Sequence, residues 1–206
     1  MKMQLAWGLL IGLASNAHAG DSMMMGSDFT NGPKLYVGAS AGSSKLGDTC
    51  NDPFFSGNCN DQDFAWKAFG GARFDPMVGV ELAYYDLGSS SMNGITGGST
   101  AKLDSSTTGT GITGVGYVPI TPQIEAFGKV GAIAWNNKTS KTVGGGLTQQ
   151  EDSTGISPLI GGGAQFQMNS NLHLRGEWEH MFNIGSDSAY ETDADLYSLG
   201  LSYSTL

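Results

Sequence analysis

Residues 63–74 read Asp-Phe-Ala-Trp-Lys-Ala-Phe-Gly-Gly-Ala-Arg-Phe. Phe64, Trp66, Ala68, Gly70, Ala72 and Phe74 fall on every second position, while Asp63, Lys67 and Arg73 lie on the positions between. A period of two is that of an extended strand, whose successive side chains leave opposite faces. One face is therefore apolar or small, and the other carries charge in mid-segment.

The same arrangement recurs outward from this stretch. In Val78 to Tyr85, Val80, Leu82 and Tyr84 oppose Glu81. In Gln123 to Trp135, Ile124, Ala126, Val130, Ala132 and Ala134 oppose Glu125 and Lys129. In Leu172 to Phe182, Leu172, Leu174, Trp178 and Phe182 oppose His173, Arg175, Glu177 and Glu179, and His180 interrupts the apolar face. Four weaker segments alternate less clearly: Lys34 to Ser43, roughly Thr108 to Val118, Ile156 to Met168, and Asp195 to Thr205. Eight strands result. Three connections are short and rich in turn residues, at Asp75-Pro76-Met77, at Thr121-Pro122 and at Asn169-Ser170-Asn171. The others, Leu46 to Gln62, Ser89 to Ser106, Asn137 to Gly155 and Gly185 to Ala194, read as long loops.

Short turns at one end and long connections at the other describe an all-β, eight-stranded antiparallel transmembrane up-and-down β-barrel, with short periplasmic turns and long external loops. A soluble lipocalin-like barrel has the same strand count but turns its apolar side chains inward. The charged positions separate the two. A lysine or arginine facing lipid at the midplane costs about 2–4 kcal/mol, so mid-strand charges belong in the lumen and the apolar stripes outside.

The chain begins Met1-Lys2, continues with an apolar run from Leu5 to Ala14, and reaches the small-residue site Ala17-His18-Ala19 before Gly20. This is the layout of a secretory signal peptide over residues 1–19. As a membrane anchor the run is too short, since a spanning helix needs roughly 20 apolar residues. Residues 20–33, with Met23 to Met25, show no period and read as a flexible N-terminal arm before a barrel of residues 34–206. The full chain has 10 Lys+Arg against 19 Asp+Glu, a net charge of −9, and loss of Lys2 with the leader makes it −10. Its few basic residues are scattered, which excludes nucleic-acid binding. Export also carries Cys50 and Cys59 into an oxidising compartment, where a local disulfide closing the first long loop is the natural reading. No histidine lies near them, and no metal site or cofactor is expected.

Four stretches resemble the OmpA-like transmembrane domain and the related opacity-type surface proteins. They are Tyr36-Val37-Gly38-Ala39-Ser40, the run from Gly79 to Gly88, Leu174-Arg175-Gly176-Glu177-Trp178-Glu179, and the run from Leu196 to Tyr203. The resemblance implies a monomeric outer-membrane barrel of the Gram-negative envelope, in contact with lipid and lipopolysaccharide and inserted by the barrel assembly machinery. Two departures stand out. The family commonly ends on an aromatic residue where this sequence reads Ser204-Thr205-Leu206, and no periplasmic peptidoglycan-binding domain follows the barrel, so cell-wall tethering is not expected.

The inward charges Lys67, Arg73, Lys129 and Arg175 face Glu81, Glu125, Glu177 and Glu179, which makes a nearly neutral lumen. In a barrel of eight strands the interior is just wide enough for side chains to fill it. Glu81, Lys129, Arg175, Glu177 and Lys67 form the candidate site. They are either a structural polar core or, as the resemblance implies for Glu81 and Arg175, a gate that admits small ions. Gln165 stands where the family commonly has a second acid. Some small outer-membrane barrels act on lipid A, but His18, His173 and His180 sit in no His-x-Ser pattern and no nucleophile pairs with a base, so no enzyme is expected. The acidic loops carry Asp48, Asp52, Asp61, Asp104, Glu151, Asp152, Asp187, Glu191 and Asp193. The sequence therefore reads as a structural outer-membrane protein displaying acidic surface loops, with a surface adhesin binding a host or neighbouring-cell ligand, or a narrow gated ion channel, as the alternatives.

Overall fold

Each short turn is closed by its own first side chain. Asp75 Oδ1 accepts the amides of Met77 and Val78 at 2.7 and 2.9 Å. Thr121 Oγ1 accepts those of Gln123 and Ile124 at 3.3 and 3.0 Å, and Asn169 Oδ1 those of Asn171 and Leu172 at 3.0 and 2.9 Å. A side-chain oxygen that captures amides two and three residues ahead reverses the chain before any sheet forms.

A computed structural model describes residues 32–46, 59–60, 62–96, 99–143, 149–184 and 192–205. Its elements are β1 (Lys34–Leu46), β2 (Cys59–Asn60), β3 (Gln62–Arg73), β4 (Val78–Thr96), β5 (Ser99–Pro119), β6 (Ile124–Val143), β7 (Gln149–Gln167), β8 (Leu172–Ile184) and β9 (Thr192–Ser204). The eight long strands run β1-β3-β4-β5-β6-β7-β8-β9, every neighbour antiparallel, and β9 returns to β1 with Tyr36 opposite Ser204 and Leu46 opposite Ala194. The barrel is closed, so every long strand has a neighbour on both sides and lipid meets no open sheet edge.

The long connections differ from their sequence reading. Ser89 to Thr96 pairs residue by residue with Ser99 to Ser106, and Asn137 to Lys141 pairs with Gln149 to Ser153, so two of the four expected loops are largely strand. Polar residues dominate these extensions, so their residue order lacks the apolar alternation by which a strand is recognised. In the first connection, β2 pairs Cys59 with Met92 and Asn60 with Ser91 on the extended β4. Cys50 and residues 1–31 lie outside the described residues, and with them the expected disulfide, the leader and most of the arm.

Face assignment follows the alternation. Val37, Leu82, Val130 and Leu199 point outward with more than half of their surface exposed. Aromatic residues lie among these outward positions: Trp66 packs on Tyr84 with ring centroids 5.8 Å apart, and Trp178 lies opposite Tyr197 across the β8–β9 ladder. His180 lies on the same face, its Nδ1 2.9 Å from Asp195 Oδ1, which also accepts the Trp178 indole N–H at 2.8 Å. The break in the β8 apolar stripe is thus a local polar cluster in which Asp195 holds both side chains.

Candidate functional site

The inner positions of β3, β4, β6 and β8 bring six charged side chains together in the middle of the lumen. Lys67 Nζ lies 2.6 Å from both Glu177 Oε1 and Glu179 Oε2. Lys129 Nζ touches three carboxylates, Glu81 at 2.7 Å, Glu177 at 2.7 Å and Glu179 at 2.9 Å. Arg175 completes the set, with Nη1 2.9 Å from Glu81 and Nη2 3.3 Å from Glu177. Three cations meet three carboxylates. All six side chains are buried, where a charge persists only if opposed and hydrogen-bonded.

Neighbouring tyrosines supply part of that bonding, while the two Glu177 oxygens are held by ion pairs without a hydrogen bond. Tyr36 donates to Glu81 at 3.0 Å and receives a bond from the Tyr117 hydroxyl at 3.2 Å, while Tyr85 donates to Glu179 at 2.9 Å. The Arg175 guanidinium lies between two aromatic rings, 4.8 Å from the centroid of Phe69 and 4.1 Å from that of Phe127. Room for the long chains comes from small residues in register with them: Gly71 opposite Glu81, Gly161 opposite both Lys129 and Glu179, Gly163 opposite Glu177, and Gly200 opposite Arg175. A β-carbon on Gly163 would clash with the Gly176 carbonyl oxygen and sit 2.8 Å from both Glu177 Cα and the Phe127 ring, so a larger residue would force the β7–β8 backbones apart and press on one wall of the arginine's aromatic slot.

Towards the periplasmic end the lumen opens into a polar vestibule of about 340 Å³. Arg73 crosses it to bind Glu125 at 3.0 Å and lies 4.0 Å from the Tyr117 ring centroid. Gln165 is opposite Arg175 in register, but its amide donates to Glu125 at 2.6 Å, so it serves the vestibule rather than the cluster. On the outer side the lumen is filled by Leu87, Ile133, Trp135, Leu159, Met181 and Leu196, all buried.

All five residues named from sequence, Glu81, Lys129, Arg175, Glu177 and Lys67, meet in this one cluster. Glu179 belongs there as well. Its spacing of two from Glu177 places it on the inner face, and that spacing is the signal by which it could have joined the candidate set. The three tyrosine partners and the apolar outer layer are absent from the sequence reading, although Tyr36 lies two positions from inward Gly38 and four from inward Ser40.

A closed barrel with charges inside and an apolar exterior agrees with the family comparison, in which the OmpA-like transmembrane domain matches residues 31–205. The chain belongs to that family. Its relatives include outer membrane protein A of Shigella flexneri, 32% identical over 173 residues, and that of Salmonella typhi, 31% identical over 174; each alignment covers 82% of this chain and 47% of the relative. The chain thus spans about half the length of these curated relatives. Among solved structures, a major outer membrane protein of Thermus thermophilus superposes with a TM-score of 0.60 at 14% identity, covering 84% of this chain and 100% of that one. Ail, the attachment invasion locus protein of Yersinia pestis, gives 0.54 at 13% identity over 84% of this chain and 99% of its own. These likenesses concern the fold. As an OmpA-like barrel, the protein resides in the outer membrane and contacts its lipids.

Proposed function

We propose that this OmpA-like barrel is a structural protein of the envelope that stabilises the outer membrane and displays acidic segments outside the cell, without enzymatic activity. The observation that carries the reading is the neutral, tyrosine-bonded cluster of Lys67, Lys129, Arg175, Glu81, Glu177 and Glu179, which fills the middle of the lumen and ties β3, β4, β6 and β8 together across it. A surface partner, if the outer segments bind one, would be cationic. The chain carries −9 overall, and Ail, which has been crystallised with the heparin analogue sucrose octasulfate, binds a polyanion that such a charge repels.

The test compares detergent and bile-salt sensitivity of cells lacking the protein, cells complemented with the whole chain, and cells complemented with a chain whose β4–β5 and β6–β7 extensions are shortened. Both complementing chains should restore resistance. Restoration by the whole chain alone would assign the function to the outer segments and favour adhesion or another surface interaction. We also propose that Cys50 and Cys59 form a disulfide. Thiol alkylation of the unfolded, exported chain should then require prior reduction; labelling of both cysteines without reductant contradicts the pairing.

A further inference from the structure

The lumen changes character along its axis, and the change is sharpest just outside the charge cluster. On the periplasmic side lies the vestibule of about 340 Å³, lined by Arg73, Glu125, Gln165, Gln167, His173 and Ser202. On the other side, Met181 stands two residues beyond Glu179 on β8 and Leu87 two beyond Tyr85 on β4, while Ile133 stands four beyond Lys129 on β6. With Leu159 and Leu196 these side chains are 0–1% exposed. Trp135 closes the layer without leaving a spare polar group, because its indole N–H bonds Ser157 Oγ at 2.8 Å and that hydroxyl donates to the Asn183 carbonyl at 2.8 Å.

We propose that this apolar layer, rather than the ion-pair cluster, is the barrier that keeps the lumen closed, so that the barrel is a dead-end vestibule which water and small inorganic ions enter from the periplasm only. An ion that reaches the cluster finds charges with which to exchange. Beyond it apolar side chains dominate, and the buried hydroxyls of Ser44 and Ser157 are already bonded, to the Leu87 carbonyl and between the Trp135 indole and the Asn183 carbonyl, so an ion stripped of water there finds little compensating interaction. Loss of the Glu81–Arg175 contact therefore loosens the middle of the lumen without opening a path through it. The closing element is separate from the charges that would be taken for the gate.

Two measurements on the refolded whole barrel test this. In a chain with Cys50 and Cys59 replaced by serine, Gln165→Cys should react with a charged, membrane-impermeant thiol reagent added to the periplasmic face of oriented proteoliposomes and should resist the same reagent added outside. Equal reaction from both faces overturns the proposal. In planar bilayers in potassium chloride, Glu81→Gln should stay as silent as the wild type, whereas Glu81→Gln combined with Leu159→Ser and Met181→Ser should conduct roughly tenfold or more above it. Heat-modifiable gel migration establishes that each variant is folded. Discrete openings of Glu81→Gln alone, or continued silence of the folded triple variant, also overturns it. The labelling experiment needs no change to the cluster or the apolar layer and stands even if the triple variant fails to fold.

Discussion

Lys129→Met is expected to lower the stability of the folded barrel by about 3–5 kcal/mol, the cost of breaking a buried ion pair by removing one partner. Lys129 is the cation shared by all three carboxylates. Without it Lys67 and Arg175 face Glu81, Glu177 and Glu179, leaving one uncompensated negative charge. Methionine fills a comparable volume and so adds little cavity cost of its own. The measurement is a urea titration of the barrel in phospholipid vesicles, followed by tryptophan fluorescence and by gel migration. Adding Glu177→Gln restores a balance of two and two and should recover part of the loss, so the two changes are strongly non-additive. A loss below about 1 kcal/mol for Lys129→Met would mean that the cluster behaves like a solvated surface network.

The legible part of this protein is the part where two environments meet across one strand. Asp63 to Phe74 and Leu172 to Phe182 show their alternation because lipid lies on one side and a polar lumen on the other. The three short turns are equally readable, since Asp75, Thr121 and Asn169 close them by local chemistry. Where polar residues dominate, as from Ser89 to Thr96 and Ser99 to Ser106, the residue order shows no apolar alternation, and a ladder reads as a loop. Inside the barrel the sequence identifies which charges point inward but not which meet, because pairing depends on register across several strands. Lys129 and Glu179 are 50 residues apart and join only through the β6–β7 and β7–β8 ladders, in both of which Gly161 is the residue opposite. The apolar outer layer is harder still to read. Leu159 and Met181 occupy inward positions on strands whose other faces are also apolar, so alternation fades at the level where the lumen itself becomes dry.

Val130→Arg tests the opposite face of the same strand. Val130 follows Lys129 and is 66% exposed on the outside, opposite Gly114 and Ile160. Six residues from the start of β6, it stands roughly 20 Å along the strand, or about 15 Å along the membrane normal at a tilt near 40°, which is the midplane of a hydrocarbon core about 30 Å thick. Arginine there should cost about 2–4 kcal/mol in the same urea titration, whereas Thr154→Arg, outward on β7 and near the outer boundary, should cost roughly 0–1 kcal/mol. Equal costs at the two depths would remove lipid from this face. Removing a charge at 129 and adding one at 130 are thus both expected to destabilise the barrel. Since adjacent residues of a strand leave opposite faces, a slip of one residue in the β5–β6 or β6–β7 register would make both errors at once, delivering Lys129 to lipid and Val130 to the carboxylates. The charge cluster and the apolar exterior therefore select the same register, and the ladder that places Lys129 within reach of Glu81, Glu177 and Glu179 is the one that keeps the outer face free of charge at the midplane.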